Sequence, residues 1–162
     1  MQETEANGST EPTDFVIRPL KVEDAAAVSS LLRVQPPEYT RFFFAFSFDA
    51  DDIARMLAGR GRDVYMGFLL RDELAGFFML RGWNEGYEVP ALGAVIAEKY
   101  RGRGLMQLTV EVTKVICRLR GASRVMYKSH PDNAPAKKAA AMGFTQGGAD
   151  PATGNLIFYL DV

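Results

Sequence analysis

An apolar run ending at Val95-Ile96-Ala97 is followed by Glu98-Lys99-Tyr100-Arg101-Gly102-Arg103-Gly104-Leu105-Met106, and then by an amphipathic segment. That order reads as a strand, a loop with two glycines and two arginines, and a helix. Leu105, Leu108, Val112, Val115, Ile116 and Leu119 recur at helical spacing and predict one apolar face, with Gly121 as the stop. A glycine loop that opens a helix leaves backbone N–H groups without partners. The helix dipole adds positive charge at the same place, so the site suits a phosphate or pyrophosphate. The loop is not a Walker A motif, because no Gly-Lys-Ser/Thr follows, and the third glycine of a dinucleotide fingerprint is missing.

The remaining chain alternates loosely between strand and helix patterns. Phe15–Arg18 reads as a strand, Asp24–Leu32 as a helix, and Gln35-Pro36-Pro37 as a break into a loop holding Tyr39, Phe42, Phe43, Phe44, Phe46 and Phe48. A helix over Asp51–Ala58 ends at Gly59-Arg60-Gly61. Val64–Leu70 and Leu74–Leu80 read as a hairpin, and Tyr87–Ala97 carries an extended segment into the glycine loop. Arg124–Ser129 reads as a strand, Ala134–Met142 as a short helix, and Leu156–Leu160 as part of a final hairpin. The class expected is α/β (α+β) with a mixed sheet.

With 162 residues, 48% hydrophobic and 24% charged, the chain has material for one globular domain over 15–162. Residues 1–14 hold Glu3, Glu5, Glu11 and Asp14 and no Lys or Arg, so they read as a disordered polar tail and not a signal peptide. A formal net charge of −1 gives no electrostatic footprint for nucleic acid. No apolar stretch reaches membrane-spanning length. The single Cys117 reads as a buried structural thiol, no metal is called for, and the cytoplasm is the location expected.

Arg101-Gly102-Arg103-Gly104-Leu105-Met106 resembles the Arg/Gln-x-x-Gly-x-Gly/Ala signature of the GNAT acetyltransferase superfamily. Asn133, a short helix and Gly143-Phe144 resemble its second signature, and Phe15-Val16-Ile17-Arg18-Pro19 with Asp24 its opening strand and helix. The resemblance covers 15–162 in element order. It implies a mostly antiparallel sheet flanked by helices, with a splay between two central strands at Val95–Ala97 and Arg124–Ser129. It further implies acetyl-CoA as cosubstrate, held by Arg101, Gly102, Arg103, Gly104, Leu105 and Met106 at the pyrophosphate and by backbone groups of Ala94, Val95 and Ile96 along the pantetheine arm. Asn133 matches the position that contacts that arm, although an asparagine there also suits a helix cap.

The implied reaction is direct attack of a neutral amine on the thioester, which needs a base. Glu85 and Glu88 precede the strand that would carry the thioester. His130, the only histidine, ends the second central strand and reads as base, acid or turn cap. Two departures from the family stand out. Met106 replaces Gly or Ala, and Ala139 or Ala140 stands where a tyrosine is usual as acid for the departing thiolate. The aromatic loop with Tyr39 and Phe42, together with Trp83 and Tyr87, reads as an acceptor wall, about half of its phenylalanines being core. The segment Leu80–Pro90, which holds Trp83 and Tyr87, resembles GNATs that acetylate amino sugars. The expected function is therefore acetylation of a small-molecule amine, leaning to an amino sugar or a nucleotide-linked one. The alternatives are a peptide or protein acetyltransferase and a non-catalytic acyl-CoA-binding module. The expected partners are the amine acceptor and at most a second copy in a homodimer, with neither nucleic acid nor membrane.

Overall fold

The computed structural model describes residues 14–162. The tail expected over 1–14 lies outside the described residues except for Asp14, whose carbonyl accepts the Arg71 N–H at 2.9 Å. The elements are β1 (Phe15–Pro19), α1 (Ala25–Val34), α2 (Pro37–Thr40), α3 (Ala50–Ala58), β2 (Val64–Leu70), β3 (Glu73–Arg81), β4 (Ala91–Ile96), α4 (Leu105–Leu119), β5 (Arg124–Ser129), α5 (Ala134–Lys138), β6 (Thr145–Ala149) and β7 (Leu156–Asp161). They form one seven-stranded sheet in the order β1-β2-β3-β4-β5-β7-β6. Every neighbouring pair is antiparallel except β4–β5, which the α4 crossover forces to run parallel.

Helices cover both faces. Phe77 and Met79 of β3 pack with Val28, Leu32, Ile53 and Leu57 of α1 and α3, while Phe78 and Leu80 pack with Val110 and Cys117 of α4. A strand buried on both faces loses the polar alternation of a surface strand, so β3 is apolar almost throughout. The β2–β3 turn places Arg71 and Asp72 at φ 49° and 64°, the left-handed pair that matches strand twist in a two-residue hairpin. The Asp49 carboxylate accepts the amides of Asp51 and Asp52 at 2.9 and 3.0 Å, so α3 begins at Ala50, one residue before the expected start.

At the start of α1 the Asp24 carboxylate takes both terminal nitrogens of Arg18, at 2.7 and 2.9 Å, and the Lys21 amide at 2.6 Å. Arg18 leads the causes that hold the Asp24 carboxyl below its ordinary value. The depressed folded pKa means the pair stabilises the fold above the unfolded carboxylate range and loses that contribution as pH falls through the folded value. Asp24→Asn is expected to cost about 1 kcal/mol at pH 7, with the gap to wild type closing below about pH 4. Urea unfolding at the two pH values measures it. A gap that stays constant would show that the carboxylate charge contributes nothing.

Two sequence expectations hold only in part. The fully buried face of α4 is Thr109, Val110, Thr113 and Cys117; Leu105, Leu108, Val112 and Ile116 of the expected face are half-buried against the same core, whereas Val115 and Leu119 are 51% and 83% exposed. Small side chains let the helix lie close to the sheet, and the Thr109 hydroxyl donates to the Leu105 carbonyl at 2.8 Å, which lets it be buried. The extended run expected over Tyr87–Ala97 is strand only from Ala91 to Ile96. Before it, the chain coils round the buried Asp63 carboxylate, which accepts the amides of Gly82 and Asn84 at 3.2 Å each. Among the described residues no helix is long and apolar enough to cross a membrane.

Candidate active site

β4 and β5 meet at one register pair, Ala91 with Met126, where the Met126 N–H donates to the Pro90 carbonyl at 2.9 Å. Beyond that pair they diverge. The strand edge this opens on β4 can be read from its other neighbour. Ala97 donates to the Ala75 carbonyl at 2.8 Å, so in the antiparallel β3–β4 ladder the odd-numbered residues of β4 face β3. Ala94 and Ile96 then direct their backbone groups into the splay, while Val95 is committed to Phe77 in the ladder and to the core with its side chain. The close approach of β3 is permitted by Gly76, where a Cβ would meet the Val95 carbonyl oxygen at 2.7 Å.

The N-terminus of α4 stands at the mouth of this splay. Gly104 caps the helix at φ 86°, in the left-handed region, and Gly102 precedes it at φ 73°. The first amide to turn back into the helix is that of Leu108, bonded to the Gly104 carbonyl at 3.0 Å. Gly102 to Gln107 therefore present six successive amides with no backbone partner outside the helix and no capping side chain. Arg101 differs from the expectation, because its own amide is bonded to the Glu98 carbonyl at 3.1 Å. Gln107 joins the set unforeseen, since an amide at the third helical position carries no signal in side-chain identity. Leu105 and Met106 are half-buried against the core and also line the cleft. Arg103 lies over the Tyr100 ring at 5.5 Å and does not line the cleft.

Tyr39 sits on the cofactor-side edge instead of forming an acceptor wall. Its hydroxyl donates to the Ile96 carbonyl and accepts from Arg101 Nε, with the Arg101 guanidinium 3.1 Å from the ring centroid. Burial lowers the Arg101 pKa, though a guanidinium keeps its charge. Asn133 is the N-cap residue of α5 by position, yet its side chain makes no capping bond and lines the cleft.

The cleft continues through the splay to the opposite side of the sheet, with a volume of about 1830 Å³. There Phe42 stacks on His130 at 4.3 Å and 11°, with Arg41 4.4 Å from the Phe42 centroid. His130 Nδ1 accepts the Asp132 N–H at 3.1 Å, so the neutral imidazole carries its proton on Nε2 and serves as a donor, not a base. Glu85, Tyr87 and Glu88 line the same side, and Tyr87 and Phe44 are 66% and 82% exposed. Phe43, Phe46 and Phe48 instead pack into the core under α1 and α3. Trp83 is a correction to the acceptor wall. It is 6% exposed in the α4-side core beneath Arg120, 4.7 Å from its ring, and cannot meet a ligand in the cleft.

The model of the family described as "Acetyltransferase (GNAT) domain" matches residues 14–145. The chain is a GNAT acetyltransferase. No curated protein matches it in sequence. Its fold is similar to that of PaiA N-acetyltransferase from Thermoplasma acidophilum, a structure in complex with coenzyme A. The two share 13% identity and a TM-score of 0.77, over 92% of this chain and 99% of that one. An acetyltransferase from Salmonella typhimurium that modifies the N-terminal serine of a 50S ribosomal subunit protein is similar at 16% identity and TM-score 0.73, over 93% and 96%. A domain from Methanocaldococcus jannaschii matches at 16% and 0.76, over 93% and 100%. The GNAT frame of seven mostly antiparallel strands with flanking helices thus fits the sequence expectation, and the protein is an acyltransferase. The six amides and the unbonded Asn133 side chain are groups that a pyrophosphate and an amide-bearing arm would satisfy.

Proposed function

We propose that this GNAT acetyltransferase moves an acetyl group from acetyl-CoA to the primary amine of a small polar molecule, an amino sugar or a nucleotide-linked amino sugar. The observation that carries this reading is the composition of the acceptor mouth. Exposed Phe44 and Tyr87 stand there with Phe42, beside the free carboxylates of Glu85 and Glu88. Flat apolar faces stack on the C–H face of a sugar or on a base, and carboxylates take hydroxyl and ammonium donors.

In this reading the amides of Gly102 to Gln107 hold the pyrophosphate, and the splay-facing groups of Ala94 and Ile96, with Asn133, hold the pantetheine arm. The Ala94 N–H is the donor offered to the carbonyl oxygen as charge grows on it. Glu88 receives the proton that the attacking nitrogen gives up. His130 Nε2–H is a hydrogen-bond donor at the same end of β5.

A second reading, acetylation of a protein N-terminus, is favoured by the structural neighbours that act on ribosomal proteins. Thiol release with a panel of amines separates the two. Amino sugars and their nucleotide-linked forms are expected to show kcat/KM at least tenfold above that of N-terminal peptides. The reverse ratio would favour the protein reading. Acetyl-CoA binding without thiol release for any amine would leave the acyl-CoA-binding module, the reading that Ala139 and Ala140 motivate.

A further inference from the structure

We propose that the Tyr127 phenol, with the Ser129 hydroxyl beside it, is the hydrogen-bond donor that receives the sulfur as it leaves the thioester. The inference rests on the acetyl-CoA reading above. Tyr127 and Ser129 lie two residues apart on β5 and so on one face of it, the face turned toward α4 and α5, just past the Met126 pair where β5 leaves β4. Both line the cleft.

Ser129 is 4% exposed, and its hydroxyl has no hydrogen-bond partner. That oxygen is closed to the cleft, so of the two hydroxyls the half-buried phenol is the one that can meet the sulfur, and Ser129 acts on the phenol beside it. The Tyr127 ring is held by Phe158 at 5.9 Å and 27° and by Phe144 at 6.0 Å and 62°, which fixes where its oxygen stands. Past the end of α5, Ala139, Ala140 and Ala141 carry no hydrogen-bond donor, and the one donor side chain of α5 on the cleft, Lys138, is exposed to solvent.

The electron count sets the role. The amine lone pair forms the C–N bond, the C–S pair departs on sulfur, and the nitrogen's proton goes to the carboxylate base. Burial raises the Tyr127 pKa, and the neighbouring Ser129 hydroxyl, outside hydrogen-bonding geometry, offsets only part of the rise. An ordinary thiol binds its proton more weakly than an ordinary phenol, with pKa values of about 8.5 and 10. The proton therefore stays on Tyr127, which stabilises the thiolate by donation, and solvent protonates the sulfur on release.

The test is to titrate the thiol of bound CoA by its thiolate ultraviolet absorption, in the full chain and in Tyr127→Phe. The thiol is expected to ionise about one pH unit lower in the wild type than in the variant, and turnover in the variant to fall about tenfold. Affinity for desulfo-CoA, which lacks the sulfur, is expected to stay within about threefold. Ser129→Ala is expected to shift the titration in the same direction by less, and to raise the Tm of the free protein because it deletes an unpaired buried hydroxyl. A serine with a purely structural role would lower it. Identical titrations of wild type and Tyr127→Phe, each with CoA bound, would overturn this assignment alone. Failure of the wild type to bind CoA at all would overturn the acetyl-CoA reading and the assignment with it.

Discussion

Gly104→Asp is expected to weaken acetyl-CoA binding more than 100-fold while the protein stays folded. Both halves of that outcome follow from the same geometry. A Cβ at position 104 meets nothing within 4 Å, so the side chain fits the free protein. The φ of 86° strains a non-glycine residue by about 1–2 kcal/mol. Against that, an aspartate at the N-cap bonds helical amides and suits the dipole, which returns about 1 kcal/mol. The carboxylate would then occupy the amides of Met106 and Gln107 and repel a pyrophosphate from the rest. Gly104→Ala carries the same backbone strain without the charge, and a loss of about tenfold is expected. Calorimetry with acetyl-CoA and desulfo-CoA, beside thermal melts of each variant, reads the result. Wild-type affinity in Gly104→Asp would remove the phosphate from this turn.

The second large effect concerns the base. Glu88→Gln is expected to lower kcat/KM by about 10²–10⁴-fold with acetyl-CoA affinity unchanged, and Glu85→Gln by less than tenfold. Glu88 stands two residues before Pro90, whose carbonyl takes the Met126 amide at the vertex of the splay. Glu85 is exposed and stands three residues farther from that vertex. Without its base, the Glu88→Gln enzyme depends on amine already deprotonated in solution, so its rate is expected to climb about tenfold per pH unit up to the pKa of the acceptor. A flat profile in that variant, or the larger loss in Glu85→Gln, would reassign the base.

Much of the frame was legible before any tertiary contact was known. The strand, glycine loop and helix around Gly102 and Gly104 could be read because a left-handed backbone and an open helix N-terminus are local properties. The β2–β3 hairpin was readable for the same reason. The face of α4 was readable only in part. Leu108 and Val112 of the apolar period pack against the core only in part and Val115 and Leu119 face outward, because contact with the sheet selected Thr109, Thr113 and Cys117, whose small side chains allow close packing. Trp83 shows the same limit. Its neighbours in sequence, Glu85 and Tyr87, line the cleft, while the coil round Asp63 turns the indole to the other side of the sheet.

The sequence alone determined where a glycine loop opens a helix N-terminus and in what order the elements follow, since dihedral preference and periodicity act within a few residues. The tertiary structure decided which groups in that frame are free to act. Ladder alternation against β3 leaves Ala94 and the Ile96 N–H open and closes Val95, while Tyr39 takes the Ile96 carbonyl. A turn bond makes His130 a donor, and a missing cap bond leaves the Asn133 side chain to the cleft. Each depends on a partner that the fold alone brings within 3–4 Å, and a hydrogen bond or a packed contact exists only at that range.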